Sequence, residues 1–171
     1  TVAQYTGSGM RTGTISVAGQ TSSIRQMDIP CVITLYAAFT GYGLYSWNGT
    51  TWTNINILPV SMTASSSTLY AAFTGYGLYS WNGSTWTQIN GTIPTSMTAS
   101  GSTLYAAFTG YGLYSWNGST WTNINILPVS MTASGSTLYA AFTGYGLYQW
   151  DGSTWTVINE TLPVSMVAPR F

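Results

Sequence analysis

"TLYAAFTGYGLYSWNGSTWTQIN", Thr68–Asn90, reads as three short strands joined by two turns. "TLYAAFT" is apolar and aromatic, Gly75-Tyr76-Gly77 punctuates it, and "LYSWN" follows. Asn82-Gly83 then predicts a two-residue hairpin, because a type I′ turn needs positive φ. "STWTQIN" is the third strand. In the copy that opens at Thr34, Pro59 ends the third strand and "VSMTAS" makes a fourth. No window of the chain sustains a helical period.

The same unit recurs. Thr34, Thr68, Thr103 and Thr137 each open "TLYAAFTGYGLY", at spacings of 34, 35 and 34 residues. Unit 34–67 and unit 103–136 differ only at Thr50 against Ser119 and Ser66 against Gly135. The period reaches into the first 33 residues, where "AQYTGSGM" (Ala3–Met10) lies 34 residues before "AAFTGYGL" (Ala37–Leu44). Beyond Met10 the match decays and both tryptophans are lost. The chain therefore reads as one repeat domain, 1–171, with a degenerate unit 1–33 and units 34–67, 68–102, 103–136 and 137–171.

Successive side chains on a strand point to opposite faces. Leu35, Ala37 and Phe39 share one face; Tyr36 and Ala38 share the other. Both are apolar, as in a sheet sandwiched between two neighbours. Four short strands in about 34 residues, covered on both sides, describe a propeller blade. The expected fold is an all-β propeller of five blades, with the segment around Val164–Ala168 pairing into the N-terminal blade to close the circle. Four blades with Thr1–Ile33 as an arm is the alternative; an open solenoid is another. A transmembrane barrel fits less well, since its strands run about 9–11 residues.

Charge is nearly absent. Only 4% of residues are charged, against roughly 25% in an average soluble domain. They are Arg11, Arg25, Arg170, Asp28, Asp151 and Glu160; there is no Lys and no His. Three scattered arginines cannot neutralise a phosphate backbone, which argues against nucleic-acid binding. No run of 18 apolar residues predicts a spanning helix. Cys31 is the single cysteine, so no internal disulfide exists, and it reads as a small buried hydrophobe. The start at Thr1 reads as a processed mature chain or a fragment, and sequons stand at Asn48, Asn82, Asn90, Asn117 and Asn159. With the missing lysines, they point to an extracellular or cell-surface location.

The pattern G-[LM]-Y-x-W-[ND]-G-[ST]-x-W with a following Pro resembles the repeats of bacterial secreted β-propellers of the tectonin-like type. It covers Gly43–Trp52, Gly77–Trp86, Gly112–Trp121 and Gly146–Trp155, four of the five units. The resemblance implies a propeller and, as in lectin propellers, sugar binding in clefts between blades. The first unit lacks the Trp-Asn-Gly core, so a site built on it would be absent or altered there.

Chemistry finds little to work with. Asp151 and Glu160 sit nine residues apart in one unit only, and read as two surface acids rather than a hydrolytic pair. Serines and threonines have no His or Lys to serve as base. Imidazole and paired thiolates are lacking for a metal, which leaves calcium on carbonyls and Asp151 as the one open metal chemistry. No catalysis and no cofactor are expected. The aromatics remain. Tyr42, Tyr76, Tyr111 and Tyr145, each between two glycines in a turn, are the better ligand contacts. Trp47, Trp81, Trp116 and Trp150 are the companion stacking platforms, as where Tyr45 and Trp47 share a strand face with Trp52 across the turn and Asn48 offers an amide to hydroxyls, with core packing as their other use. A surface with almost no charge lacks the repulsion that keeps copies apart. The expected function is thus an extracellular structural subunit that self-assembles; a secreted multivalent glycan binder is the alternative.

Overall fold

The computed structural model describes residues 10–17, 20–27, 34–65 and 68–168, the first two segments as backbone alone. Seventeen strands and no helix make up the described residues. β1 (Met10–Val17) and β2 (Gln20–Met27) form a two-stranded hairpin with Met10 opposite Met27. β3 (Leu35–Phe39), β4 (Gly43–Trp47) and β5 (Trp52–Asn56) form a three-stranded sheet with β3 at its edge.

Three four-stranded antiparallel sheets follow, each in chain order. The first holds β6 (Ser61–Ser65), β7 (Thr68–Phe73), β8 (Gly77–Trp81) and β9 (Trp86–Asn90). The second holds β10 (Ser96–Ser100), β11 (Thr103–Phe108), β12 (Gly112–Trp116) and β13 (Trp121–Asn125). The third holds β14 (Ser130–Ser134), β15 (Thr137–Phe142), β16 (Gly146–Trp150) and β17 (Trp155–Asn159). The chain divides into two compact units, Thr1–Ala37 with Tyr45–Ile55 and Ala38–Leu44 with Asn56–Phe171. All three four-stranded sheets lie in the second.

Sequence unit and sheet are out of phase. The "SMTAS" strand that ends one unit pairs with the "TLYAAF" strand that opens the next, as in Met62 opposite Ala71 and Met97 opposite Ala106. Each four-stranded sheet is therefore stitched from two units. The first strands of successive sheets also stand side by side, β6 beside β10 and β10 beside β14. Ser65 Oγ donates to Gly101 O at 2.8 Å, and Ser100 Oγ donates to Gly135 O at 2.8 Å, linking one sheet to the next.

The two-faced reading of "TLYAAF" holds in these sheets. Leu104, Ala106 and Phe108 of β11 pack with Tyr70, Ala72 and Leu78 of the preceding sheet. Tyr105 and Ala107, on the opposite face, pack with Ala133, Leu138, Ala140 and Phe142 of the following one. Ala106 and Ala107 are each 0% exposed, so β11 has no solvent face at all. Burial pushes the Tyr70 and Tyr105 phenols above their ordinary value.

The turns follow from the glycines and the Asx residues. Tyr76 N–H donates to Phe73 O at 3.0 Å, closing the turn over Gly75. The next glycine fits where nothing larger would: a Cβ on Gly112 would lie 2.5 Å from Asn125 O, and φ there is +104°. That close approach sits beside a bulge between Leu113 and Tyr114, repeated at Leu78/Tyr79 and Leu147/Tyr148.

Two expectations change. The Asn-Gly hairpin is a four-residue connection, Asn82 to Thr85, between Trp81 and its cross-strand partner Trp86. Asn82 Oδ1 accepts from the Ser84 and Thr85 N–H groups at 2.9 and 2.8 Å and from Ser84 Oγ at 3.0 Å. The carboxamide, not a type I′ backbone, organises the turn. Val164–Ala168 is not a strand and belongs to no sheet among the described residues, so no sheet is closed by it there. Val164 and Val167 of this segment stand almost fully exposed, without the cover that both faces of β11 have. The stretch "AQYTGSGM" lies outside the described residues except for Met10, and Cys31 lies outside them too.

Candidate binding clefts between sheets

A residue pattern that repeats along the chain must repeat its surroundings wherever three successive sheets stack alike. Two clefts meet that condition. One, of about 310 Å³, is lined by Asn90, Thr92, Phe108, Tyr111, Tyr114 and Trp121. The other, of about 300 Å³, is lined by Asn125, Ile126, Phe142, Tyr145, Tyr148 and Trp155. Each takes its amide wall from the end of one sheet and its aromatic wall from the next. The four aromatics correspond one for one.

The aromatic wall is built edge to face. Phe108 lies 6.0 Å from Tyr114 at 74° and 5.6 Å from Trp121 at 79°. In the second cleft Phe142 lies 6.0 Å from Tyr148 at 69° and 5.4 Å from Trp155 at 79°. The sheet before them carries the same rings, with Phe73 5.9 Å from Tyr79 and 5.4 Å from Trp86. The T-shaped contacts fix the ring planes.

Hydrogen bonds to the preceding sheet hold that wall in place. Trp121 Nε1 donates to Ile89 O at 2.9 Å, and Trp155 Nε1 donates to Ile124 O at 2.9 Å. Asn123 Nδ2 donates to Tyr111 O at 3.2 Å, bracing the turn whose side chain forms the rim. Val157 stands in that position in the last sheet and cannot make the bond. Asn90 Oδ1 accepts from Thr92 N–H and Asn125 Oδ1 from Ile126 N–H, both at 2.8 Å. Each amide is thus held by its oxygen, which leaves its NH₂ donors as the polar contribution of the wall.

The expected contact residues divide. Tyr111 and Tyr145 are in the clefts, at the rim and 69% and 59% exposed. Tyr42 and Tyr76 are equally exposed turn residues of the earlier sheets. Trp116 and Trp150 are not in the cleft linings; they pack half-buried against the inter-sheet clusters. Trp47 and Trp81 are likewise half-buried and lie against their cross-strand partners, at 5.2 Å from Trp52 and 5.1 Å from Trp86. The cleft tryptophan is the second of each pair, Trp121 and Trp155. It and Tyr114 or Tyr148 are the repeat counterparts of Trp52 and Tyr45, whereas Phe108, Phe142 and Asn125 escaped the sequence reading. A detectable signal existed: Phe108, Tyr114 and Trp121 recur as a set at the repeat period.

Among the sequons, Asn48, Asn82 and Asn117 organise exposed turns through Oδ1. Asn159 Oδ1 accepts from Thr161 N–H at 2.8 Å on an exposed loop, while Asn90 lies in a cleft wall. Asp151 takes the Asn82 role in the last unit. Hydrogen bonds from the Thr154 and Ser153 N–H groups and from the Ser153 hydroxyl hold its carboxyl below the usual carboxylate value. Among the described residues no group of three or more His, Cys, Asp or Glu is placed to hold a metal ion. No helix among them is long and apolar enough to cross a membrane. No protein-family model matches the chain, and comparison with curated proteins finds no relative.

Proposed function

We propose that this protein is a secreted, multivalent carbohydrate-binding protein that performs no catalysis and is built as a β-propeller of the tectonin-like kind. The observation that carries the proposal is the recurrence of one cleft, with the same Phe, Tyr, Tyr and Trp, at successive sheet junctions. An apolar concavity with a few placed polar groups is the usual form of a small-molecule site. A pyranose has an apolar C–H face that suits an aromatic wall and a rim of hydroxyls that suits amides. Here Tyr111 or Tyr145 would cover the sugar face, and the NH₂ groups of Asn90 or Asn125 would meet hydroxyl oxygens. Each shallow cleft binds weakly, and several on one rigid frame raise avidity against a surface bearing many copies of a glycan. Sheets covered on both faces, with their first strands side by side, support the propeller; the sequons and missing lysines support the extracellular setting.

The test is a saccharide array followed by titration of tryptophan emission, which Trp121 and Trp155 make sensitive to the clefts. Binding that is lost in the Tyr111→Ala, Tyr145→Ala double variant, with folding stability changed by less than about 0.5 kcal/mol, is the expected result. An array on which no saccharide binds or moves the emission would dispose of the proposal.

A further inference from the structure

We propose that Asn48, Asn82 and Asn117 are self-modifying sites, at which the hairpin turn promotes loss of the side-chain amide as ammonia and leaves an aspartate. This is independent of saccharide binding, since none of the three lines either cleft. Each is followed by glycine and stands exposed at the start of its turn. The reaction begins with attack of the Gly83 backbone nitrogen on Asn82 Cγ. The new N–C bond forms as the Cγ–Nδ2 bond breaks, the glycine proton leaves with the ammonia, and a five-membered imide remains. Water then opens the ring, so the balance is carboxamide plus water to carboxylate plus ammonium. The space beside the nucleophile is open: a Cβ on Gly49, Gly83 or Gly118 would meet nothing within 4 Å.

The fold adds donors on the oxygen that becomes negative. As the glycine nitrogen adds to Cγ, charge develops on Oδ1, and donors already aimed at that atom lower the barrier. Asn82 Oδ1 accepts from the Ser84 and Thr85 N–H groups at 2.9 and 2.8 Å and from Ser84 Oγ at 3.0 Å. Asn48 has the same three donors from Thr50 and Thr51 at 2.9 to 3.0 Å. Asn117 has them from Ser119 and Thr120 at 2.8 to 3.1 Å. Asn90-Gly91 is the same dipeptide in another setting. Asn90 is half-buried in a cleft wall, and among the described residues Thr92 N–H, at 2.8 Å, is the one donor on its Oδ1. The product is already present in the fold. Asp151, at the corresponding position of the last unit, accepts from Ser153 N–H, Ser153 Oγ and Thr154 N–H at 2.8, 2.9 and 2.7 Å. An aspartate therefore keeps the turn. Each conversion adds one negative charge to a chain of formal net charge zero, so copies that lack mutual repulsion acquire it with time.

The four Asn-Gly sites give the test its internal control. Protein is made in a host that adds no glycans, because a glycan on the same nitrogen would block ammonia loss. It is held at physiological temperature in mildly alkaline buffer, folded and in urea, and each site is followed by peptide mass spectrometry. In the folded chain Asn48, Asn82 and Asn117 should convert about tenfold faster than Asn90, because exposed donors are worth less than the roughly hundredfold or more of a buried oxyanion hole. In urea the four rates should converge. Ser84→Ala removes one donor and should slow Asn82 severalfold while leaving Asn117 unchanged; Ser119→Ala exchanges the two roles should the first variant fail to fold. Asn90 keeping pace in the folded chain overturns the proposal, as does an Asn82 rate untouched by Ser84→Ala. So does conversion of Asn82 that is slower folded than in urea, because the turn would then hold the carboxamide away from the glycine nitrogen.

Discussion

Replacing Gly112 by alanine tests whether close backbone approach, rather than turn flexibility, sets the glycine pattern of the unit. Two separable costs apply. At φ +104° an alanine is strained, by roughly 1–3 kcal/mol. Its Cβ would also lie 2.5 Å from Asn125 O, a distance at which the backbone of β13 must move. Gly110 is the control: its φ is +81°, but a Cβ there would meet nothing within 4 Å. Gly110→Ala should therefore carry the backbone strain alone, about 1 kcal/mol, and Gly112→Ala about 3 kcal/mol or more. For a chain of this size, that is a fall in Tm of roughly 2–4 °C against roughly 6–12 °C. Thermal unfolding followed by tryptophan emission measures both. Since Asn125 lines the cleft with Tyr145, and Tyr111 beside Gly112 lines the one with Asn90, Gly112→Ala should also weaken any saccharide response at both clefts. Equal losses of stability in the two variants would refute the reasoning.

Three further outcomes are expected. Trp121→Phe leaves Ile89 O without its donor and should cost about 1 kcal/mol in urea unfolding, with Phe108 losing part of its edge contact. Asp151→Asn restores the residue of the other units: Asp151 has a lowered folded pKa, so its contribution is present above its unfolded value of 3.8 and is lost as pH falls through the folded one. Comparing Tm against pH for the two proteins should show the variant losing less stability across that acidic interval. Finally, a glycan on Asn90 would fill the cleft it lines and leave the Asn125 cleft open, so expression in a glycosylating host should reduce the number of saccharide sites measured by calorimetry, and Thr92→Ala should restore it.

What could be read without coordinates was what depends on local period. "TLYAAF" declares two apolar faces, and Ala106 and Ala107 are buried on opposite sides as that requires. The Asn-Gly signal located the hairpin but not its length, because a carboxamide accepting two N–H groups competes with a type I′ turn and leaves no mark in the two-residue motif. The clefts were half legible. Tyr111 and Tyr145 could be named because a tyrosine between glycines has little core to serve. Trp116 and Trp121 could not be ranked, since they face each other across one hairpin at 5.2 Å. Which of them reaches the cleft is decided by Ile89 O, a carbonyl of the preceding unit. For the same reason Asn90 and Asn125 were invisible as cleft residues: each serves the unit after its own. Val164–Ala168 matches the first-strand sequence, yet no described strand pairs with it.

The half-step between sequence unit and sheet bears on how such a chain can gain or lose length. A whole unit added to or removed from the middle carries away the end of one sheet and the start of the next together. The "SMTAS" strand left behind meets a "TLYAAF" strand indistinguishable from its former partner, and every sheet stays four strands wide. Unequal recombination between units as alike as 34–67 and 103–136 would therefore leave no scar in the fold, and the number of clefts could change in whole steps from one generation of the gene to the next.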